Sequence, residues 1–224
     1  MGSEMCIRDR NKEAEERIYE GETPGVSYGD IAERYYTVGQ YMKEVKDVSK
    51  AMAAAGDSYI CDEYLNAMGS PEAESVYVLH DLNNDGIEEF FIGLKFNYDI
   101  PYYIIYDVYT WKDGRAYQLM RGIGYRNGSC KICENGVIED NYSGSAWDGQ
   151  TLYHILPEGG IELETIDSVS SRRDGTVQSY YHWNELIDEN SLQTILEQYQ
   201  PESVTYVDCN RETIEQLRLS GIRK

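Results

Sequence analysis

Phenylalanine is nearly missing from this chain, with 3 residues against 21 tyrosines, and basic residues number 20 against 40 acidic ones. The net charge of −20 repels nucleic acid and anionic membranes, which excludes binding modes built on neutralising phosphates. No stretch approaches the roughly 18 uninterrupted apolar residues of a membrane-spanning helix. Cysteine is scarce as well: Cys6, Cys61, Cys130, Cys133 and Cys209 are too few and too scattered to staple 224 residues. A zinc knuckle would need a second Cys-x-x-Cys beside Cys130 and Cys133, and none exists. His80, His154 and His182 stand in stretches that read as strands, with no HExxH pattern and no G-x-S-x-G elbow near them. No repeat of about 40–50 residues marks propeller blades.

What remains is ample for a core: 41% of the residues are hydrophobic. Tyrosine, apolar in body and polar at its tip, suits half-buried strands and wet recognition surfaces. Residues 1–10, "MGSEMCIRDR", lack hydrophobic periodicity and resemble a translated sequencing adapter, so they are expected to be non-native. On that expectation the missing signal peptide does not argue for the cytoplasm. Residues 11–26, charged and then rich in Gly and Pro, read as a linker. Residues 27–224 read as a single α+β domain.

Helices are expected over residues 27–68. Ile31, Tyr35, Val38, Met42, Val45 and Met52 recur at three- and four-residue steps along one face. Ser27 with Asp30 forms a capping-box pattern, and Gly56 can end the helix. A shorter helix is expected over 58–68, with Asp57 as its cap. From 75 to 183 the pattern alternates as strands broken by Asp113-Gly114, Asn135-Gly136, Glu158-Gly159-Gly160 and Asp174-Gly175. Such dipeptides tolerate the positive φ of tight hairpins, so a β-meander follows. The 102–111 strand is apolar on both faces and should be central. Helices return over 188–221, the first capped by Asp188 with Leu192, Ile195, Leu196 and Tyr199 on one face. The fold class is therefore α+β: N-terminal amphipathic helices on a large antiparallel meander, closed by C-terminal helices.

One stretch has chemistry in its spacing. In "VLHDLNNDGIEEFF", residues 78–91, Asp81, Asn83 and Asp85 alternate, Gly86 follows and Glu89 stands ninth. Calcium takes six to eight hard oxygens, and alternating side chains can turn inward along a tight loop. Glycine allows the sharp turn, after which the Ile87 carbonyl can face the ion. An EF-hand would require Glu at the twelfth position, where Ile92 stands, and the flanks are strands, so that motif is excluded. Asp81, Asn83, Asp85, Ile87 and Glu89 are thus the expected ligands of a structural Ca2+ ion. The competing reading is an Asx-rich turn without metal. The loop resembles the strand–loop–strand calcium sites of FG-GAP and integrin-type repeats over about a dozen residues, and no function transfers with that.

Over roughly residues 28–200 the order of features is similar to uncharacterised secreted proteins and lipoproteins of Gram-positive anaerobic gut bacteria. The stretches that carry the resemblance are "YVLHDLNNDGIEEFFIGL", "YDVYTWKDGRAYQL", "ICENGVIEDNYSGSAWDG" and "NELIDENSLQTILEQY". Asn83 stands where that group usually has Asp, which lowers the charge of the site. The resemblance implies an extracellular or cell-surface address, with a lipid anchor on a missing N-terminus, and implies no activity. The expectation is a calcium-stabilised extracellular domain, non-enzymatic, with a glycan or protein as ligand. The alternative is a glycan- or cell-wall-directed hydrolase whose carboxylates the sequence does not localise.

Overall fold

Ser27 opens the first helix as the capping box requires. Its hydroxyl accepts from the Asp30 N–H at 3.2 Å, and the Asp30 carboxylate accepts from the Ser27 N–H at 3.0 Å. The structure is a computed structural model that describes residues 21–22, 27–55, 60–122, 129–144, 146–156, 163–174 and 177–220. Helix α1 (Tyr28–Val45) buries Ile31, Tyr35, Val38 and Met42, as the stripe predicts. The helix does not run on to Met52, however. Lys46 turns left-handed at φ 53° and its N–H returns to the Met42 carbonyl. Asp47 then accepts from the Lys50 N–H at 3.1 Å and starts a separate helix, α2 (Val48–Ala55). A cap inside the periodic run has overridden the period, and Val45 is left exposed. The expected roles of Gly56 and Asp57 lie outside the described residues. Helix α3 (Asp62–Met68) begins later than expected, behind Cys61, which makes no side-chain cap bond.

The meander exists but is divided into two antiparallel six-stranded sheets. The first has the order β1-β5-β4-β3-β2-β12, from β1 (Gly21–Glu22), β2 (Ala73–His80), β3 (Glu89–Phe96), β4 (Tyr102–Lys112), β5 (Arg115–Arg121) and β12 (Val207–Asp208). The second runs β11-β10-β9-β8-β7-β6, from β6 (Ser129–Cys133), β7 (Val137–Ser143), β8 (Trp147–Ile155), β9 (Leu163–Asp174), β10 (Val177–His182) and β11 (Glu185–Ile187). Strands β5 and β6 do not pair because each edge is already occupied. Gly21 and Glu22, read from sequence as linker, pair with Gln118 and Tyr117 of β5. The Glu202 N–H donates to the Ile132 carbonyl at 2.8 Å and thereby covers β6. Asp113-Gly114 and Asn135-Gly136 take positive φ at both residues, as the hairpin reading requires. Trp183 and Asn184 do the same, so β10 turns at Trp183 into the unanticipated strand β11.

Strand β4 is central, between β3 and β5, and the first sheet is buried on both faces. On one face Phe90, Leu94 and Tyr109 pack with Tyr35 of α1 and Tyr64 of α3. Toward the second sheet lie Phe91, Ile105, Val108 and Leu119, packed with Ile132, Ile138 and Tyr153. The layers are therefore helix, sheet and sheet. A bulge opposite Ile92 and Gly93 brings the consecutive residues Tyr106 and Asp107 both toward the helices.

Helix α4 (Glu189–Leu196) is capped by Asp188, which accepts from the Ser191 N–H at 2.7 Å, and its predicted stripe is half-buried. Helix α5 (Arg211–Ser220) buries Ile214 and Leu217, and Arg218 reaches Asp30 and Glu33 of α1. No helix among the described residues is long and apolar enough to cross a membrane.

Candidate metal centre

The stretch between β2 and β3 closes on its own backbone. Asp81 accepts from the N–H groups of Asp85 at 3.1 Å and Gly86 at 2.9 Å. Asn83 Oδ1 accepts from the same Asp85 N–H at 3.1 Å, and Asp85 Oδ1 accepts from the Ile87 N–H at 2.8 Å. The Asn83 amide donates to Asp85 Oδ2 at 3.0 Å. Asn84 and Gly86 adopt φ of 58° and 86°, which lets the chain curl back within so few residues. Asp81, Asn83 and Asp85 are thus drawn together around the N–H groups of residues 85–87. Each of these carboxylate oxygens retains a lone pair, because a carboxylate offers about four acceptor positions.

Glu89 sits below them at the first position of β3, fully buried at 0% exposure. Its Oε2 accepts from the Leu82 N–H at 2.9 Å and its Oε1 from the Thr110 hydroxyl at 3.0 Å. Burial pushes its carboxyl up to about 7; these two hydrogen bonds work against the rise, and the charges of Asp85 and Asp81 add to it. The ion pairs of the described residues leave out Asp81, Asp85 and Glu89, so no Lys, Arg or His among those residues offsets them. Among the described residues no group of three or more His, Cys, Asp or Glu side chains is gathered as a metal shell. Asp81, Asp85 and Glu89 are therefore neighbours along the loop rather than a preformed set. Ile87 contributes its N–H to the turn.

All three layers meet at this loop. The Tyr28 hydroxyl, from the first residue of α1, donates to the Glu88 carbonyl at 3.0 Å, and its ring stacks on Phe90 at 5.1 Å. From the second sheet, Gly136 presses so close to the Leu82 carbonyl that a Cβ there would collide with it. Next to the loop, His80 Nε2 lies 3.2 Å from Glu202.

Other candidate chemistry resolves into structure. Cys130 belongs to the core between the sheets and Cys133 to a cluster with Val137 and Leu152, so the two thiols do not converge on a zinc ion. Cys61, Cys130, Cys133 and Cys209 are free and buried, and burial raises every one of these thiols; Cys133 and Cys209 reach about 12. None is a ready nucleophile. Ser143 is engaged with Asp148, and Ser145 lies outside the described residues.

Two buried polar clusters were not anticipated. Asp107 accepts from the Tyr35 hydroxyl, from the Gly122 N–H at 2.9 Å and from Gln118 at 3.4 Å. Asp167 accepts from the Tyr199 hydroxyl at 3.0 Å, and its Oδ1 lies 2.7 Å from His182 Nε2. Register and bulges, rather than local spacing, place these partners. No serine or thiol hydrogen-bonds to His182 among the described residues. Glu89, Asp107, Glu139 and Asp167 each accept from neutral or cationic donors. No protein-family model, curated protein or solved structure matches the chain.

Proposed function

We propose that this chain is a calcium-stabilised, non-enzymatic domain that works outside the cell, secreted or held at the surface by a lipid anchor. The observation that carries the reading is Glu89, a fully buried carboxylate that, with Asp81 and Asp85 above it, has no basic partner among the described residues. Burying a charge is costly unless an opposite charge answers it. A divalent cation held by Asp81, Asn83, Asp85, the Ile87 carbonyl and Glu89 would supply that charge through hard oxygen ligands. The extracellular address rests on the resemblance of roughly residues 28–200, the loop above all, to secreted proteins and lipoproteins. It accords with an affinity on the order of 0.1–1 mM, typical of extracellular modules. A ligand-binding or scaffolding role fits a site that braces three layers. Calorimetric titration with calcium tests the reading: one saturable site in the wild type, absent in Asp85→Ala, is expected. No heat in the wild type, or the same isotherm in both proteins, would overturn it.

A further inference from the structure

Exposed large apolar side chains concentrate at the β3–β4 hairpin: Tyr98 is 50% exposed, Ile100 83%, Tyr102 44% and Tyr103 36%. Tyr103 is covered by Tyr206, stacked at 4.0 Å. Tyr98 and Tyr102 are also near-parallel but further apart, with centroids 5.8 Å apart and ring planes 16° from parallel. Both rings lean on Phe96, which is 6% exposed; Tyr102 lies over it at 4.7 Å and 13°. Burial of Phe96 holds the pair in place, so little ordering would remain to be done on binding.

The polar groups around the rings are uncommitted. The side chains of Asn97 and Asp99 are exposed, and neither they nor the Tyr98 and Tyr102 hydroxyls hydrogen-bond to any described residue. We infer that the β3–β4 hairpin tip is a binding platform for a neutral polysaccharide, which deepens the non-enzymatic binding role proposed above. The apolar C–H face of a hexose ring lies flat on parallel aromatic faces, while its hydroxyls need nearby amide, carboxylate and phenol groups. Tyr98 and Tyr102 provide the faces, and Asn97 and Asp99 the rim. Asp99 and the net charge of −20 exclude polyanionic glycans, oppose anionic lipid and disfavour a second copy of the chain. The platform stands at the opposite end of β3 from Glu89, roughly 23 Å away at ~3.3 Å per residue. Binding is therefore independent of calcium.

Native affinity electrophoresis in gels cast with glucomannan, xyloglucan, laminarin or polygalacturonate tests this. Retardation by at least one of the three neutral polymers, none by polygalacturonate, and a tenfold or greater loss of affinity in Tyr98→Ala/Tyr102→Ala are expected. Melting checks that the variant is folded, as two exposed side chains should allow. Wild-type protein should bind the polymer equally in chelator and in millimolar calcium, and no polymer should be shortened. Unretarded migration in every neutral gel, or equal retardation of the double variant, overturns the inference while a calcium response leaves the metal reading standing. Concentration-dependent dimerisation or vesicle binding that the double variant abolishes, without polysaccharide binding, overturns it in favour of a protein or lipid surface.

Discussion

The Leu82 N–H donates to Glu89 Oε2 at 2.9 Å, tying the start of the acidic loop to its last acidic residue across the mouth of the β2–β3 hairpin. The same Leu82 presents its carbonyl to Gly136 of the second sheet. One residue thus joins the loop, the first sheet and the second sheet, which is why substitutions here should affect the whole fold.

Gly136→Ala should destabilise the protein by about 2–4 kcal/mol, combining a left-handed φ of 72° with a collision against backbone that cannot move aside cheaply. Urea unfolding measures it. A loss under about 1 kcal/mol would mean that the sheets do not meet there as described.

Asp107 sets a pH dependence. Burial raises its carboxyl from 3.8 to about 7, against the pull of the Tyr35 and Gly122 hydrogen bonds. Between those values the folded chain holds a proton that the unfolded chain has released. Stability therefore falls as pH rises through that window and levels off above it, by up to ~1.4 kcal/mol per pH unit for one group. Asp107→Asn should flatten this slope, costing more at the acid end of the window than above it. Denaturant midpoints across the window check the point, and an unchanged slope would contradict it.

The α1–α5 contact should owe its strength to packing rather than charge. Leu217 is 4% exposed, so Leu217→Ala should cost about 2–4 kcal/mol. Arg218 pairs with Asp30 at 3.2 Å but is one-third exposed, so Arg218→Ala should cost about 1 kcal/mol or less. Reversal of that order in thermal melts would show that the ion pairs dominate.

The legible parts of this fold were those decided within a few residues. Ser27 and Asp30 cap a helix three positions apart, and Asn135-Gly136 sets a hairpin because both residues accept positive φ. The loop at 81–89 was legible for the same reason, since alternation and one glycine determine its curl. What escaped depended on distant partners. Gly21 and Glu22 look like linker until Tyr117 and Gln118 offer them an edge, and Asp107 finds Tyr35 72 residues away. The Lys46 break was the exception: Asp47 was a local cap in plain view, outweighed by an apolar stripe that ran past it.

Thermal melting of the wild type and Glu89→Gln, each in millimolar calcium and in chelator, tests the central claim most directly. Glutamine keeps an acceptor for the Leu82 N–H but removes the buried charge. At about ten times its dissociation constant, calcium should stabilise the wild type by roughly 1.4 kcal/mol, a rise of about 3–6 °C for a domain of this size. Glu89→Gln should show little or no rise, and in chelator it should melt no lower than the wild type. Coincident wild-type curves in calcium and chelator would contradict the account and leave residues 81–89 as an Asx-rich turn.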